Sequence, residues 1–220
     1  MRLYYHYCPS GFSNFYLLGT DFSKGESPVE SSGDSPEGPL PREAIIVDPG
    51  MMNSSILNII EENDYYLRGV LITHDHPHHV TGLRAILRIY NTAIYAASPV
   101  VGGYRTNLVR DGETVNIGPF KTEVFSIPGH SADSAVYRIE RLLFTGDTMS
   151  AGLVGSTASS YSAATQMSAL RRKILSLPGD YTILPGHGPP SSLEAERRFN
   201  LDINSFEELK NRRPAIRFGF

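Results

Sequence analysis

The feature that most constrains this 220-residue chain is the run His74-Asp75-His76-Pro77-His78-His79. Of seven histidines, six stand at 74, 76, 78, 79, 130 and 187, and only His6 is left for a structural role. Crowding of this kind points to metal or proton chemistry, since neutral imidazole nitrogen is a good ligand for zinc, iron and other transition metals. Such chemistry needs a scaffold that brings side chains distant in the sequence to one point.

The surrounding pattern supplies that scaffold. Arg2 to Tyr7 and Ser13 to Leu18 read as strands separated by Pro9-Ser10-Gly11, and Ala44 to Val47 is a short apolar strand ending in Asp48-Pro49-Gly50. Gly69 to Thr73 is a buried strand running directly into the histidines. Further strands are predicted at Ala93 to Ala97, Lys121 to Ile127, Ala135 to Ile139, Leu142 to Thr145 and Tyr181 to Leu184. Helical spacing places Ile56, Leu57 and Ile60 on one face, Leu83, Ile86, Leu87 and Tyr90 on another, and Met167, Leu170, Ile174 and Leu177 on a third. Ser191 and Glu194 form a candidate capping box for the next helix. Interleaved strands and helices give an α/β (α+β) class with helices packed on sheets.

Each candidate ligand follows a strand. His74, His76, His78 and His79 come after Gly69 to Thr73, and His130 comes after Pro128-Gly129. Asp147 follows Gly146, and His187 follows Pro185-Gly186. Loops at strand ends on one sheet edge can aim these groups at a common point. Six imidazoles and one carboxylate suffice for two metals about 3.5–4 Å apart, with positions open for a water that becomes a hydroxide nucleophile. Asp75 is expected to face solvent between ligands. Asp48 either orients the ligand loop from behind or caps a turn.

Composition bounds the rest. A single domain over 1–220 is expected, with an insertion at about 20–41 rich in Ser, Gly, Pro and acidic residues. The net charge of -3 and the lack of a basic stripe argue against nucleic acid as a partner. No apolar run reaches the length of a membrane span. The lone Cys8 excludes an intrachain disulfide and is expected to be a small buried hydrophobe. With no secretory signal, a cytoplasmic location and a small-molecule substrate are the expectations.

Thr73 to His79, Pro128-Gly129-His130, Gly146-Asp147 and Pro185-Gly186-His187 resemble, in order, the motifs of the metallo-β-lactamase superfamily, and within it the small glyoxalase-II-like hydrolases. Val47-Asp48-Pro49-Gly50 resembles that family's early strand-end motif. The resemblance implies a four-layer αββα sandwich with metals on one edge. It implies a hydrolase acting through a metal-bound hydroxide on an ester, thioester or related substrate, with zinc, two ions by preference, and iron as the other candidate metal. Carried over, His74, His76 and His130 would hold the first metal, His79 and His187 the second, and Asp147 would bridge them. The family has an aspartate where this chain has His78, and that aspartate both binds the second metal and steers the attacking water. His78 and Asp147 are therefore the candidate catalytic residues, and the exchange makes the site one unit more positive.

The segment Met149 to Ser156 lacks the arginine and cysteine of the family's glutathione-contacting stretch, and Gly188 to Phe220 is short for its C-terminal helical region. The resemblance thus implies a substrate other than glutathione thioesters. Tyr104, Arg105 and Arg110 are candidates to meet an anionic group, or ordinary surface charges. Persulfide dioxygenases share the implied fold and use one iron, for which His74, His130 and Asp147 would suffice. An RNA-processing or non-catalytic metal-binding member of the fold is the third reading.

Overall fold

The computed structural model describes residues 1–21 and 42–205. The expected insertion at about 20–41 lies outside the described residues except at its base. There Thr20 donates its amide to the Glu43 carbonyl and accepts the Glu43 amide on Oγ1, at 2.8 and 2.9 Å.

The first sheet is built from β1 (Arg2–Cys8), β2 (Ser13–Gly19), β3 (Arg42–Val47), β4 (Tyr65–Ile72) and β5 (Ala93–Ala96). After a small ribbon of β6 (Val100–Val101) and β7 (Tyr104–Arg105) it is completed by β8 (Asn107–Leu108), in the order β1-β2-β3-β4-β5-β8. The second sheet contains β9 (Thr114–Ile117), β10 (Phe120–Ser126), β11 (Ala135–Ile139) and β12 (Leu142–Gly146). A ribbon of β13 (Met149–Ser150) and β14 (Leu153–Val154) intervenes before β15 (Thr182–Pro185) and β16 (Ser191–Ser192), and the order is β16-β15-β12-β11-β10-β9.

Side-chain alternation along these strands divides the apolar residues among three cores. Ala44, Ile46, Val70 and Ile72 point to Ile56 and Ile60 of α1 (Ser54–Glu62) and to Leu83 and Ile86 of α3 (Leu83–Ile89). Their neighbours Ile45, Val47 and Leu71 turn the other way, against Val124, Ala135, Tyr137, Ile139 and Phe144 of the second sheet. Val136, Leu143 and Ile183 face outward onto Met167 and Leu170 of α4 (Ser160–Lys173) and Leu193 of α5 (Leu193–Phe199). The result is the αββα sandwich, and it explains why β3 and β4 read as continuous apolar runs: both faces are covered.

Cys8 is fully buried in the first of these cores, and His6 faces Asn53, the N-cap of α1, at 3.1 Å. Helix α5 is capped one residue later than its sequence suggests. The Ser192 side chain accepts the Ala195 amide, while Ser191 Oγ donates to Glu196. No helix among the described residues is long and apolar enough to cross a membrane.

Strands β3, β4 and β5 run parallel, as do β12 and β15. Their C-terminal ends therefore open on one edge of the sandwich. Asp48, His74, Asp147 and His187 follow four of these ends.

Candidate metal centre

The loop after β4 is compact. The His76 amide donates to the His74 carbonyl, and Pro77 starts α2 (Pro77–Val80) with its φ already set for a helix. Successive helical residues diverge by about 100°, and the two that follow Pro77 part company. His79 is fully buried and turns inward, whereas His78 is exposed.

Two groups of donors converge on Asp147. His74, His76, His130 and Asp147 each offer an atom within 4.8 Å of the others, and so do His79, Asp147 and His187. In the first group, His76 Nδ1 lies 2.9 Å from His74 Nε2 and 3.1 Å from His130 Nε2. Asp147 Oδ2 is 3.7 Å from His74 Nε2 and 3.6 Å from His130 Nε2. One imidazole nitrogen carries at most one proton and cannot bridge two neighbours by hydrogen bonds. A cation at the centre accounts for all three nitrogens at once, since ligands about 2.0–2.1 Å from a tetrahedral zinc lie about 3.3 Å apart.

Partners behind the rings set which nitrogen faces that centre. Asp48 Oδ1 accepts the Thr73 amide and Oδ2 the Thr73 hydroxyl, at 2.8 and 2.7 Å. With its proton committed, Thr73 Oγ1 accepts from His74 Nδ1 at 3.1 Å and leaves His74 Nε2 as a bare lone pair. Asp48 Oδ2 also accepts from His79 Nδ1 at 3.1 Å. His130 Nδ1 donates to the Ser156 carbonyl at 2.8 Å. Of the two roles open to Asp48 in the sequence, the structure assigns orientation of the ligand loop, the outer-partner arrangement that tunes metal-binding histidines.

His79 Nε2 is the clearest sign of something to be bound. It is buried, has no hydrogen-bond partner among the described residues, and lies 3.4 Å from Asp147 Oδ2. A buried polar atom left in this state is costly, and a cation shared with Asp147 would satisfy it. Space is reserved as well: a Cβ on Gly186 would stand 2.4 Å from Asp147 Oδ1 and 2.5 Å from His79 Cε1. The residues thus fit a metal.

The electrostatics agree. Burial, with His79 close by, pulls the His74 pKa down to about 3, so this ring is neutral and ready to ligate. Burial opposes charge on His79 too, but the Asp48 and Asp147 carboxylates outweigh it and raise its pKa to about 10. For Asp147, desolvation favours the acid, yet a hydrogen bond from His187 and the closeness of the His79 ring hold the carboxyl well below the usual range.

His187 is held differently. Its Nδ1 faces Asp147 Oδ1 at 2.7 Å and its Nε2 faces the Gly11 carbonyl at 3.1 Å, so both nitrogens meet oxygen acceptors. His78 belongs to neither donor group. Its ring packs over Gly11 and meets the His187 ring edge-on at 5.9 Å between centroids. Asp75 is exposed, as expected, and accepts the Gly102 amide at 2.9 Å, which ties the β6–β7 ribbon with Tyr104 and Arg105 to the metal loop. Arg110 directs its amide to the Glu113 carboxylate.

Several positioning residues carry no motif. Asn14 Nδ2 donates to the carbonyls of Pro185 and Gly188 at 2.9 and 2.7 Å, and Tyr16 donates its hydroxyl to Pro185 at 2.7 Å. Together they clamp the His187 loop to β2. Gln166 reaches the carbonyls of Thr148 and Gly155 and supports the Asp147 loop. The one signal in the sequence is the polar Asn14 at the head of the apolar run Phe15 to Leu18.

The family model for the metallo-beta-lactamase superfamily matches residues 40–187. A Bacillus velezensis protein described as "Probable polyketide biosynthesis zinc-dependent hydrolase BaeB" is 32% identical over 197 residues, covering 80% of this chain and 87% of its own length. A hydroxyacylglutathione hydrolase from Francisella tularensis is 33% identical over 147 residues, and the match spans 66% of this chain but only 58% of the relative. Among solved structures, ETHE1 from Myxococcus xanthus superposes with a TM-score of 0.75 at 22% identity, covering 96% of this chain and 92% of its own. The BLEG-1 B3 metallo-beta-lactamase does so with 0.73 at 21%, covering 92% and 99%. Motif order, the layered fold and the convergent donors are thereby joined to a family match across two sheets, and the chain belongs to the metallo-beta-lactamase superfamily.

Proposed function

We propose that this chain is a zinc-dependent hydrolase of esters or thioesters with small-molecule substrates. In this reading His74, His76 and His130 hold one ion, His79 and His187 serve a second, and Asp147 is shared between them. The observation that carries it is the convergence of these side chains on Asp147, with the Nε2 of His79 buried beside the carboxylate and unpartnered among the described residues. The zinc-dependent hydrolase named among the relatives supports the choice of metal, and the hydroxyacylglutathione hydrolase supports a thioester-like substrate.

When bound, the metal supplies Lewis acidity, which acidifies a water and polarises a carbonyl. The chain's own residues do the rest. Asp147 contributes the negative charge that holds the cluster together. Asp48, through Thr73 and directly, keeps Nε2 of His74 and of His79 aimed inward. The Ser156 carbonyl does the same for His130. Groups fixed in this way need no rearrangement as charge develops on the scissile oxygen.

The test is metal analysis of the purified protein, followed by a panel of aryl esters, glutathione thioesters and other thioesters assayed before and after chelation. Hydrolysis that is lost with a chelator and restored by zinc is the expected result. Turnover indifferent to chelation would overturn the proposal, and so would one iron per chain with oxygen uptake and no hydrolysis.

A further inference from the structure

The two donor groups around Asp147 are not equally prepared, and the difference bears on how ions are taken up. In the first, three imidazole nitrogens already face one another, and His74 and His130 each have the opposite nitrogen tied to an oxygen behind the ring. In the second, only His79 is so arranged. His187 meets Asp147 with one nitrogen and the Gly11 carbonyl with the other, so an ion must displace one of these contacts.

Position 78, the remaining place from which α2 could serve this second group, presents an exposed imidazole lying over Gly11. The backbone there is fixed. The His78 carbonyl accepts from Ser13 Oγ at 2.7 Å, and a Cβ on Gly50 would come within 2.1 Å of it, so no side chain is tolerated opposite. Among the described residues the second group therefore has Asp147 as its single carboxylate, and the first group draws on that same carboxylate.

Resting on the metal reading above, we infer that the protein binds two ions unequally: one tightly between His74, His76, His130 and Asp147, and one weakly between His79, His187 and Asp147, with His78 outside both coordination shells. The second ion is lost first, and a carboxylate at 78 is what would retain it. The deficit has a charge component, because two dications face one shared carboxylate, and a geometric one, because His187 must first release an oxygen. Outer-partner defects at metal sites weaken binding by about 10–100-fold, and a gap of at least about tenfold between the two ions is expected on the same scale.

The experiment is zinc titration of the metal-free full-length protein by calorimetry, with chelator competition to resolve the tight step, on the parent, His78→Ala and His78→Asp. Thermal unfolding of each variant confirms that it is folded, which the exposure of position 78 favours. The parent should show one tight equivalent and a second that is at least about tenfold weaker. His78→Ala should leave both steps where they are, and His78→Asp should tighten the second about tenfold or more without moving the first. Two equivalents of equal affinity in the parent would overturn the inference. Loss of the second step in His78→Ala would do so as well, by making His78 a ligand, as would a second step unmoved in His78→Asp. Absence of any tight equivalent would instead remove the metal reading itself.

Discussion

The imidazoles on the two sides of Asp147 are the same chemical group held in opposite ways. His74, His130 and His79 each have one nitrogen engaged by an oxygen behind the ring, from Thr73, Ser156 and Asp48 respectively, and the other faces inward. His187 has oxygen on both sides and His78 has turned out of the cluster. A histidine's value as a ligand therefore lies less in its presence than in what stands behind it. The loop after β4 is braced by one buried carboxylate, Asp48, which serves Thr73 and His79 together. The His187 loop is braced through backbone carbonyls by Asn14 and Tyr16, which hold its position and leave the ring's hydrogen bonds to others.

The largest test of this contrast removes what the two sides share. Asp147→Ala should abolish the distinction, lowering affinity at both steps beyond the 10–100-fold typical of outer partners and hydrolysis with it. Zinc content after dialysis is the measurement, and a variant that retained the tight equivalent at parent strength would show that the carboxylate is not common to both.

Asp48→Asn should act unevenly. The buried amide can still accept from Thr73, but it loses the charge that holds His79 Nδ1, so the second step should weaken by about 10–100-fold and the first by less. The same titration reads both steps. Equal loss at both would mean that Asp48 works mainly through Thr73 and His74.

Asn14→Ala should give the smallest effect on metal and a plain effect on stability. The Pro185 carbonyl keeps the Tyr16 hydroxyl, but the part-buried Gly188 carbonyl loses the Asn14 donor, which costs about 1–3 kcal/mol when water does not replace it. The expected outcome is a lower unfolding free energy by denaturant titration, with the tight metal step unchanged. A weakened tight step would show that the two sides are mechanically coupled.

Much of this molecule was legible in the sequence because its signals are local. Apolar runs such as Ala44 to Val47 and Gly69 to Ile72 mark strands covered on both faces, and the ligand candidates follow strand ends marked by glycine or proline. The capping of α5 was read one residue early because Ser191 and Ser192 are both competent caps, and only Ser192 has the geometry to meet the Ala195 amide. The sequence reading lacks the two-residue strands β6, β7, β8, β13, β14 and β16, since two residues carry no periodicity, and it lacks the four-residue β9 as well.

What the sequence determined by itself was the candidate donors and the strands they follow, and the family resemblance added the layered fold. The histidine run, the two Pro-Gly-His turns and Gly146-Asp147 each announce themselves within a few residues. Only the tertiary structure decided which donors are ready to bind. That depends on oxygens from distant parts of the chain, among them the backbone carbonyls of Gly11 and Ser156, 176 and 26 residues from the rings they meet. Every residue type carries such a carbonyl, so nothing in the local sequence signals its role. The choice between His78 and His79 is of the same kind: adjacent and identical in type, they differ because the turn of α2 sends one ring inward and leaves the other exposed over Gly11.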